Sequence, residues 1–180
     1  LLDAAPGPAM AASSLPVGML SPHVTRAPTP LSRLSALGVA DTLAELRRLV
    51  PEGAGWQACE VDNLGHDPGR WPAALVRPSA LVQAWLDEVR QTAGLTTVWN
   101  APVARLRQGT ICCAPNHGSA GWQALDAQGH VLAEAPVAVV AAAFGSLALL
   151  QASAPELGAT ALPLRPVKGQ MSLGAQHGPA

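Results

Sequence analysis

Tyrosine is absent from the 180 residues, phenylalanine occurs once, and charged side chains make up only 13%. The few charges nearly cancel, at net −1, so bulk charge gives no electrostatic argument for nucleic acid or an anionic membrane as partner. Three cysteines, Cys59, Cys112 and Cys113, are too few and too irregularly placed for a disulfide framework or a zinc site. A structural role for them, and a reducing, cytoplasmic compartment, is the expectation. No histidine or carboxylate cluster has metal-ligand spacing, so no metal is expected. The longest apolar run, residues 135–150, is broken by Pro136, Gly145 and Ser146 and is too short to span a membrane. The start has no basic n-region and no initiator Met, so no secretory signal peptide is expected. What remains is a chain 49% hydrophobic, with much alanine, 17 glycines and 17 prolines. That composition points to a mixed α/β chain with much of it buried.

Local patterns place the elements. Residues 1–3 read as the end of a strand and residues 4–22 as a loop rich in Ala, Ser, Gly and Pro. Residues 31–37 read as a short helix. Asp41 is a good N-cap for a second one carrying Leu43, Leu46, Leu49 and Val50, stopped by Pro51 and Gly53. Residues 55–72 read as loop or short strand. The clearest helix opens at Pro78, has one apolar face of Leu81, Val82, Trp85, Leu86 and Val89, and ends at Gly94. Short strands are expected at 95–99 and 103–106, and a hairpin at 122–126 and 130–133 around Ala127-Gln128-Gly129. Residues 137–142 form a continuous apolar run, as in a strand buried on both faces. Gly145-Ser146 then opens a short helix over 147–151. Such a strand–turn–helix layout suits a phosphate, because amides at a helix start face the turn. Residues 164–173 read as a last strand.

Four blocks, DAAPGPAMAASSLPVGMLSPH (3–23), LVRPSALVQAWL (75–86), ALDAQGHVLAEAPVAVVAAAFGSLALL (124–150) and LPLRPVKGQ (162–170), resemble in order and spacing the D-amino-acid-oxidase-like, glycine-oxidase-like FAD-dependent oxidoreductases. Within that family the resemblance is strongest to the FAD-dependent C-terminal domain of bifunctional proteins that modify the tRNA wobble uridine. It covers nearly the whole chain, and the last block is its most specific part. The implied fold class is α/β: an FAD/NAD(P)-binding Rossmann-like domain with an interleaved, antiparallel-sheet (α+β) substrate domain, truncated at both ends. Residues 1–50 and 95–160 would belong to the FAD-binding part, and 51–94 and 161–180 to the substrate part. Family members begin with a strand and a Gly-x-Gly-x-x-Gly turn that holds the FAD pyrophosphate. This chain would begin one strand later, as a fragment.

The resemblance also implies roles. Asp3 matches the acid that binds the adenosine ribose. Ala12, Ser13 and Ser14 match a segment approaching the cofactor phosphates and flavin, and Gly18 to His23 would run past the flavin ring. Val103 matches a position whose backbone reads adenine. Ala143 and Gly145 match the turn near the cofactor. That turn departs from the family's Ala-Asn-Gly-Ala: here it reads Ala141-Ala142-Ala143-Phe144, which removes an amide side chain and adds a methyl where backbone approaches closely. His23, Arg165, Lys168 and Gln170 are candidates on the substrate or flavin side. No catalytic residue is assigned.

The implied reaction is oxidation of a carbon beside an amine nitrogen, with FAD taking the hydride and water hydrolysing the imine. The substrate would be a tRNA wobble uridine that loses its carboxymethyl group. Alternatives are a small amine or amino acid, as in glycine oxidase, or a non-catalytic flavoprotein-like remnant. For tRNA, Arg47, Arg48, Arg105 and Arg107 are candidate phosphate contacts. A fused methyltransferase domain in the full protein is a further expectation, and no membrane partner is expected.

Overall fold

The computed structural model describes residues 1–64, 68–111, 118–155, 164–167, 169, 172 and 174. It is a mixed α/β chain whose strand pairs are antiparallel, in two compact units, Leu1–Asn100 and Ala101–Ala180.

In the first unit, helix α1 runs unbroken from Pro30 to Leu49. The sequence reading placed two shorter helices here, with Asp41 as a cap. Asp41 instead lies mid-helix, and the start is set by Thr29. Its hydroxyl accepts from the Ser32 amide at 3.1 Å, while the Ser32 hydroxyl accepts from the Thr29 amide at 2.8 Å. With Pro30 at the first helical position, two otherwise orphan donors are satisfied before the apolar periodicity begins. Helix α2, Pro78–Ala93, also opens on a proline and ends at Gly94, whose φ of 62° is left-handed backbone that a side chain would strain. Residues 95–99 form no strand beyond one parallel bridge, Leu2 to Val98. The bridge holds the amino terminus, with the Asp3 amide donating to the Val98 carbonyl at 3.1 Å.

Three strands complete this unit: β1 (Gly18–Leu20), β2 (Trp56–Asn63) and β3 (Gly69–Val76). β3 is central, with β1 and β2 antiparallel on either side. The register pairs Trp56 and Gly18 with Val76, and Ala58 and Leu20 with Ala74. That alternation aims Trp56, Ala74 and Val76 at Leu43, Leu46 and Val50 of the α1 end and at Leu81 of α2. Leu46 and Ala74 are wholly buried. A fully buried leucine contributes about 1.5–3 kcal/mol relative to exposure. The buried Trp56 indole donates to the Val50 carbonyl at 2.8 Å, so its polar atom is not stranded.

The second unit is a sheet of β4 (Arg105–Ile111), β5 (Ser119–Leu125) and β6 (Val131–Ala135) in that order, with helix α3 (Gly145–Ser153) against β4. The expected hairpin around Ala127-Gln128-Gly129 is present. Asp126 sets its turn, accepting from the amides of Gln128 at 2.9 Å and His130 at 2.8 Å. Ile111 and Leu125 are its best-buried side chains. Gly121 has no room for a side chain: a Cβ there would stand 2.5 Å from Ile111 Cδ1 and 2.8 Å from the Ala135 carbonyl oxygen. The Ser153 hydroxyl ties α3 to the sheet by accepting from the Leu106 amide at 2.8 Å.

Besides 95–99, the strand expected at 137–142 fails. Residues 137–142 belong to no strand, and Val137 and Val139 are 72% and 86% exposed. A buried strand needs neighbours on both edges to take its N–H and C=O groups, and the described residues offer this segment none. Leu164 to Val167, the described start of the strand expected at 164–173, lies outside any strand, and most of the rest of that expectation, with Lys168 and Gln170, falls outside the described residues, as do Cys112 and Cys113. Among the described residues no helix is long and apolar enough to cross a membrane.

Candidate functional site

In the first unit, Asp3 follows the Leu2 bridge. Its carboxylate is exposed and accepts from the Ala5 amide at 2.8 Å, leaving acceptor capacity free. Ala12, Ser13 and Ser14 form a single 3-10 turn packed against α2. The turn closes with the Ser14 amide on the Ala11 carbonyl at 2.9 Å, and the Ala12 and Ser14 side chains face solvent. Gly18 opens β1. The chain leaves β1 through Ser21, Pro22 and His23, and the His23 amide donates to the Ser35 hydroxyl of α1 at 2.9 Å.

That exit segment walls a cleft of about 180 Å³ with Val61, Asp62 and Trp71 of the β2–β3 pair. His23 was expected at a site from the sequence; Val61, Asp62 and Trp71 were not. The usable signal was the alternation in residues 56–63 and 69–76, which reads as a hairpin only when Pro72 is allowed within a strand. Trp71 carries the one buried side-chain polar atom without a hydrogen-bond partner among the described residues, its indole Nε1. Asp62 pairs with Arg70, Nε to Oδ1 at 2.9 Å, and Arg70 also reaches Glu60 at 3.4 Å. The Arg70 hydrogen bond, with its charge, holds the Asp62 carboxyl below the usual range.

In the second unit, Val103 precedes β4 and is half-buried. Ala143 has φ 48°, a backbone conformation that favours glycine. So the turn keeps glycine's geometry where the chain carries a methyl. The amides of Gly145, Ser146 and Leu147 donate to the carbonyls of Ala142, Ala143 and Phe144 at 2.9, 3.1 and 3.2 Å. The buried Ser146 hydroxyl accepts from the Ala142 amide at 3.1 Å. These groups are spent on the turn itself. Arg165 is exposed and outside any regular element.

The candidate arginines differ in how free they are. Arg47 and Arg105 are exposed. Arg107 donates to Gln123 Oε1, with Nη2 at 2.6 Å, and Gln123 donates on to Glu134 at 2.6 Å. Arg48 bridges α1 to α2, bonding both Glu45 and Glu88. Glu45 also accepts from the Trp85 indole at 3.0 Å. The Arg48 and Trp85 hydrogen bonds bring the Glu45 pKa from the ordinary 4.5 to about 2. Among the described residues no group of His, Cys, Asp and Glu could hold a metal ion.

No protein-family model matches the chain, and no solved structure matches it. Curated proteins do. The chain is 38% identical, over its entire length, to 33% of the tRNA 5-methylaminomethyl-2-thiouridine biosynthesis bifunctional protein MnmC of Verminephrobacter eiseniae. It is 36% identical over 96% of its length to 32% of the protein of the same name from Delftia acidovorans. It is also 39% identical over 83% of its length to 24% of that from Albidiferax ferrireducens. The chain thus spans about a third or less of these relatives.

Proposed function

The chain belongs to the family of the MnmC bifunctional proteins, and on that premise we propose that it is part of an FAD-dependent oxidoreductase acting on a C–N bond of a tRNA wobble uridine. The reaction is oxidative removal of the carboxymethyl group from 5-carboxymethylaminomethyl-2-thiouridine. The observation that carries this reading is the similarity over the whole length of the chain to proteins whose name specifies the biosynthesis of that class of nucleoside. On this reading residues 1–50 and 95–160 belong to a Rossmann-like FAD-binding part, and 51–94 and 161–180 to a substrate part. A methyltransferase domain elsewhere in the polypeptide would be the second activity of a bifunctional protein.

The groups present fit the cofactor at one end. Asp3 offers free carboxylate acceptors to ribose hydroxyls, and the Ser13–Ser14 turn offers hydroxyls to a pyrophosphate. Ala143 supports the same reading through its left-handed backbone, the geometry glycine adopts where a chain passes close to a ligand. The α3 turn contributes shape instead of donors, because its first amides are satisfied internally. When bound, FAD supplies the hydride acceptor. The protein's task is then to hold the substrate amine against it and exclude competing reactions. Lys168, Gln170 and Arg165 are proposed on the flavin or substrate side.

The test is the full-length gene product, purified and examined for flavin absorbance, then incubated with tRNA bearing the carboxymethylated nucleoside. Loss of the carboxymethyl group, read by mass spectrometry of the wobble nucleoside, is the expected result. Turnover of glycine or sarcosine with no change in tRNA would replace this reading with a small-amine oxidase. A flavin-free protein would replace it with a non-catalytic remnant.

A further inference from the structure

A second cleft, of about 160 Å³, lies at the opposite end of the β2–β3 pair from the His23 segment, and Val17, Gly53, Gly55, Gln57, Leu75 and Arg77 help to line it. Strand register decides which side chains meet there. Gln57 pairs with Leu75. Arg77 follows Leu75 by two positions in extended backbone, φ −88° and ψ 102°, and its amide donates to the Gly55 carbonyl at 2.8 Å. The alternation of β3 therefore continues through Arg77. Gln57, Leu75 and Arg77 share the sheet face opposite to Trp56, Ala74 and Val76, which face the helices. A directly opposite residue and its diagonal neighbour are within reach of each other's long side chains. Both polar groups are uncommitted. Gln57 and Arg77 are exposed, and neither side chain has a partner among the described residues. Arg48, Arg70 and Arg90, by contrast, each pair with a carboxylate. Glu52, the acid of the adjoining turn, spends an oxygen on the Ala58 amide at 3.0 Å.

A guanidinium fork beside a carboxamide N–H matches an oxyanion, which offers several acceptors and a charge to neutralise. Size decides which oxyanion. Sites that enclose a whole small molecule run to about 300–1,000 Å³ and bury most of it. A surface cleft of about 160 Å³ takes one group of a larger ligand, whose chain continues outside. Gly53 leaves room for that approach, since nothing stands within 4 Å of where its Cβ would be. Val17 and Leu75 give apolar surface to the carbon atoms beside the charged group. We infer that Arg77 and Gln57 hold a backbone phosphate of the RNA substrate. The inference rests on the reading that the substrate is a tRNA uridine, and it adds where the strand carrying that uridine is gripped. A phosphate contact fixes the position of the strand without reading its sequence.

The experiment uses the full-length gene product and tRNA bearing the carboxymethylated nucleoside, with binding read by fluorescence anisotropy over a salt series. Arg77→Gln should weaken binding about tenfold and flatten the slope of log affinity against log salt by about 0.7, the share of one phosphate on a single strand. Arg77→Lys keeps the charge but not the fork, so it should recover the slope and only part of the affinity. Gln57→Leu should weaken binding about threefold and leave the slope in place. Equal affinity and slope in Arg77→Gln and the unaltered protein would remove this proposal alone. A lowered kcat with undiminished tRNA affinity in Arg77→Gln would also overturn it, by assigning Arg77 to the carboxylate of the carboxymethyl group. An unaltered protein that binds no tRNA removes the substrate reading and this site together. Binding that depends on Arg77, without loss of the carboxymethyl group, upholds the site and removes the oxidoreductase reading.

Discussion

The two units handle apolar surface in opposite ways. In the first, the end of α1, the start of α2 and one face of a three-stranded sheet close around Leu46, Trp56 and Ala74. In the second, burial among the described residues is confined to a few positions, and residues 137–142, a continuous apolar run, remain largely in solvent. An apolar sequence becomes a buried strand only where neighbours take its backbone groups. The first unit has such neighbours within 60 residues. Among the described residues of the second, none supplies them to its apolar run.

The sharpest way to break this contrast is a pair of truncations. Leu46→Ala should cost about 2–5 kcal/mol, from lost burial plus the cavity left behind. Val139→Ser should stay within about 0.5 kcal/mol, as surface changes do. Urea unfolding followed by circular dichroism reads both. A loss at Val139 as large as at Leu46 would show that residues 137–142 are buried in solution.

Next in size is overpacking. Gly121→Ala forces a methyl against Ile111 and the Ala135 carbonyl, and Gly55→Ala puts one 2.6 Å from the Ala80 Cβ. Each should lower stability by about 1–3 kcal/mol. If Gly121→Ala were harmless while Gly55→Ala was not, the second sheet would be loosely packed and the contrast between units deeper than drawn here.

Ala143→Gly runs the other way. Left-handed backbone costs a side-chain-bearing residue about 1–2 kcal/mol, and glycine's extra freedom in the unfolded chain returns about 0.5–1 kcal/mol of that. A small net stabilisation, seen as a melting temperature raised by a few degrees, is expected. A lower melting temperature would mean that the methyl packs usefully.

The smallest effect is electrostatic and belongs mainly to the first unit. Glu45, held near pH 2 by its bonds from Arg48 and Trp85, and Glu88, also lowered by Arg48, add stability that is complete above pH 4.5. It drains away as pH falls through the folded values. In the second unit, burial raises Asp126, but hydrogen bonds from His130 and Gln128 outweigh it and the net shift is downward. Glu45→Gln should flatten the pH dependence of unfolding between about 4.5 and 2, and added salt should shrink the difference because these groups are exposed. An unchanged pH profile would leave the α1–α2 bridge without energetic weight.

Legibility in the sequence followed the range of the signal. Helix α2 was readable because Pro78, the apolar face and Gly94 all lie within seventeen residues. The β5–β6 hairpin was readable from its turn. The unity of α1 was not, because Asp41 is a good cap taken alone. Thr29 and Ser32 outcompete it by capping each other at a start that extends the helix twelve residues further. The role of residues 137–142 was misread because hydrophobicity records only that a segment can be buried. For the site, the family resemblance supplied Asp3, Ser13, Ser14 and His23 as candidates. It could not locate Asp62 and Trp71, since strand register brings them to the His23 segment.

By itself, then, the sequence determined the mixed α/β composition, the Pro78 start and Gly94 stop of α2, the β5–β6 turn, and the family, because each rests on neighbouring residues or on a linear order of blocks. Only the tertiary structure decided which strands pair, that Ala143 adopts a glycine-like backbone, and that the Trp71 indole N–H is buried without an acceptor among the described residues. These depend on register and on close approach between residues distant along the chain, where one position's shift turns a side chain to the opposite face.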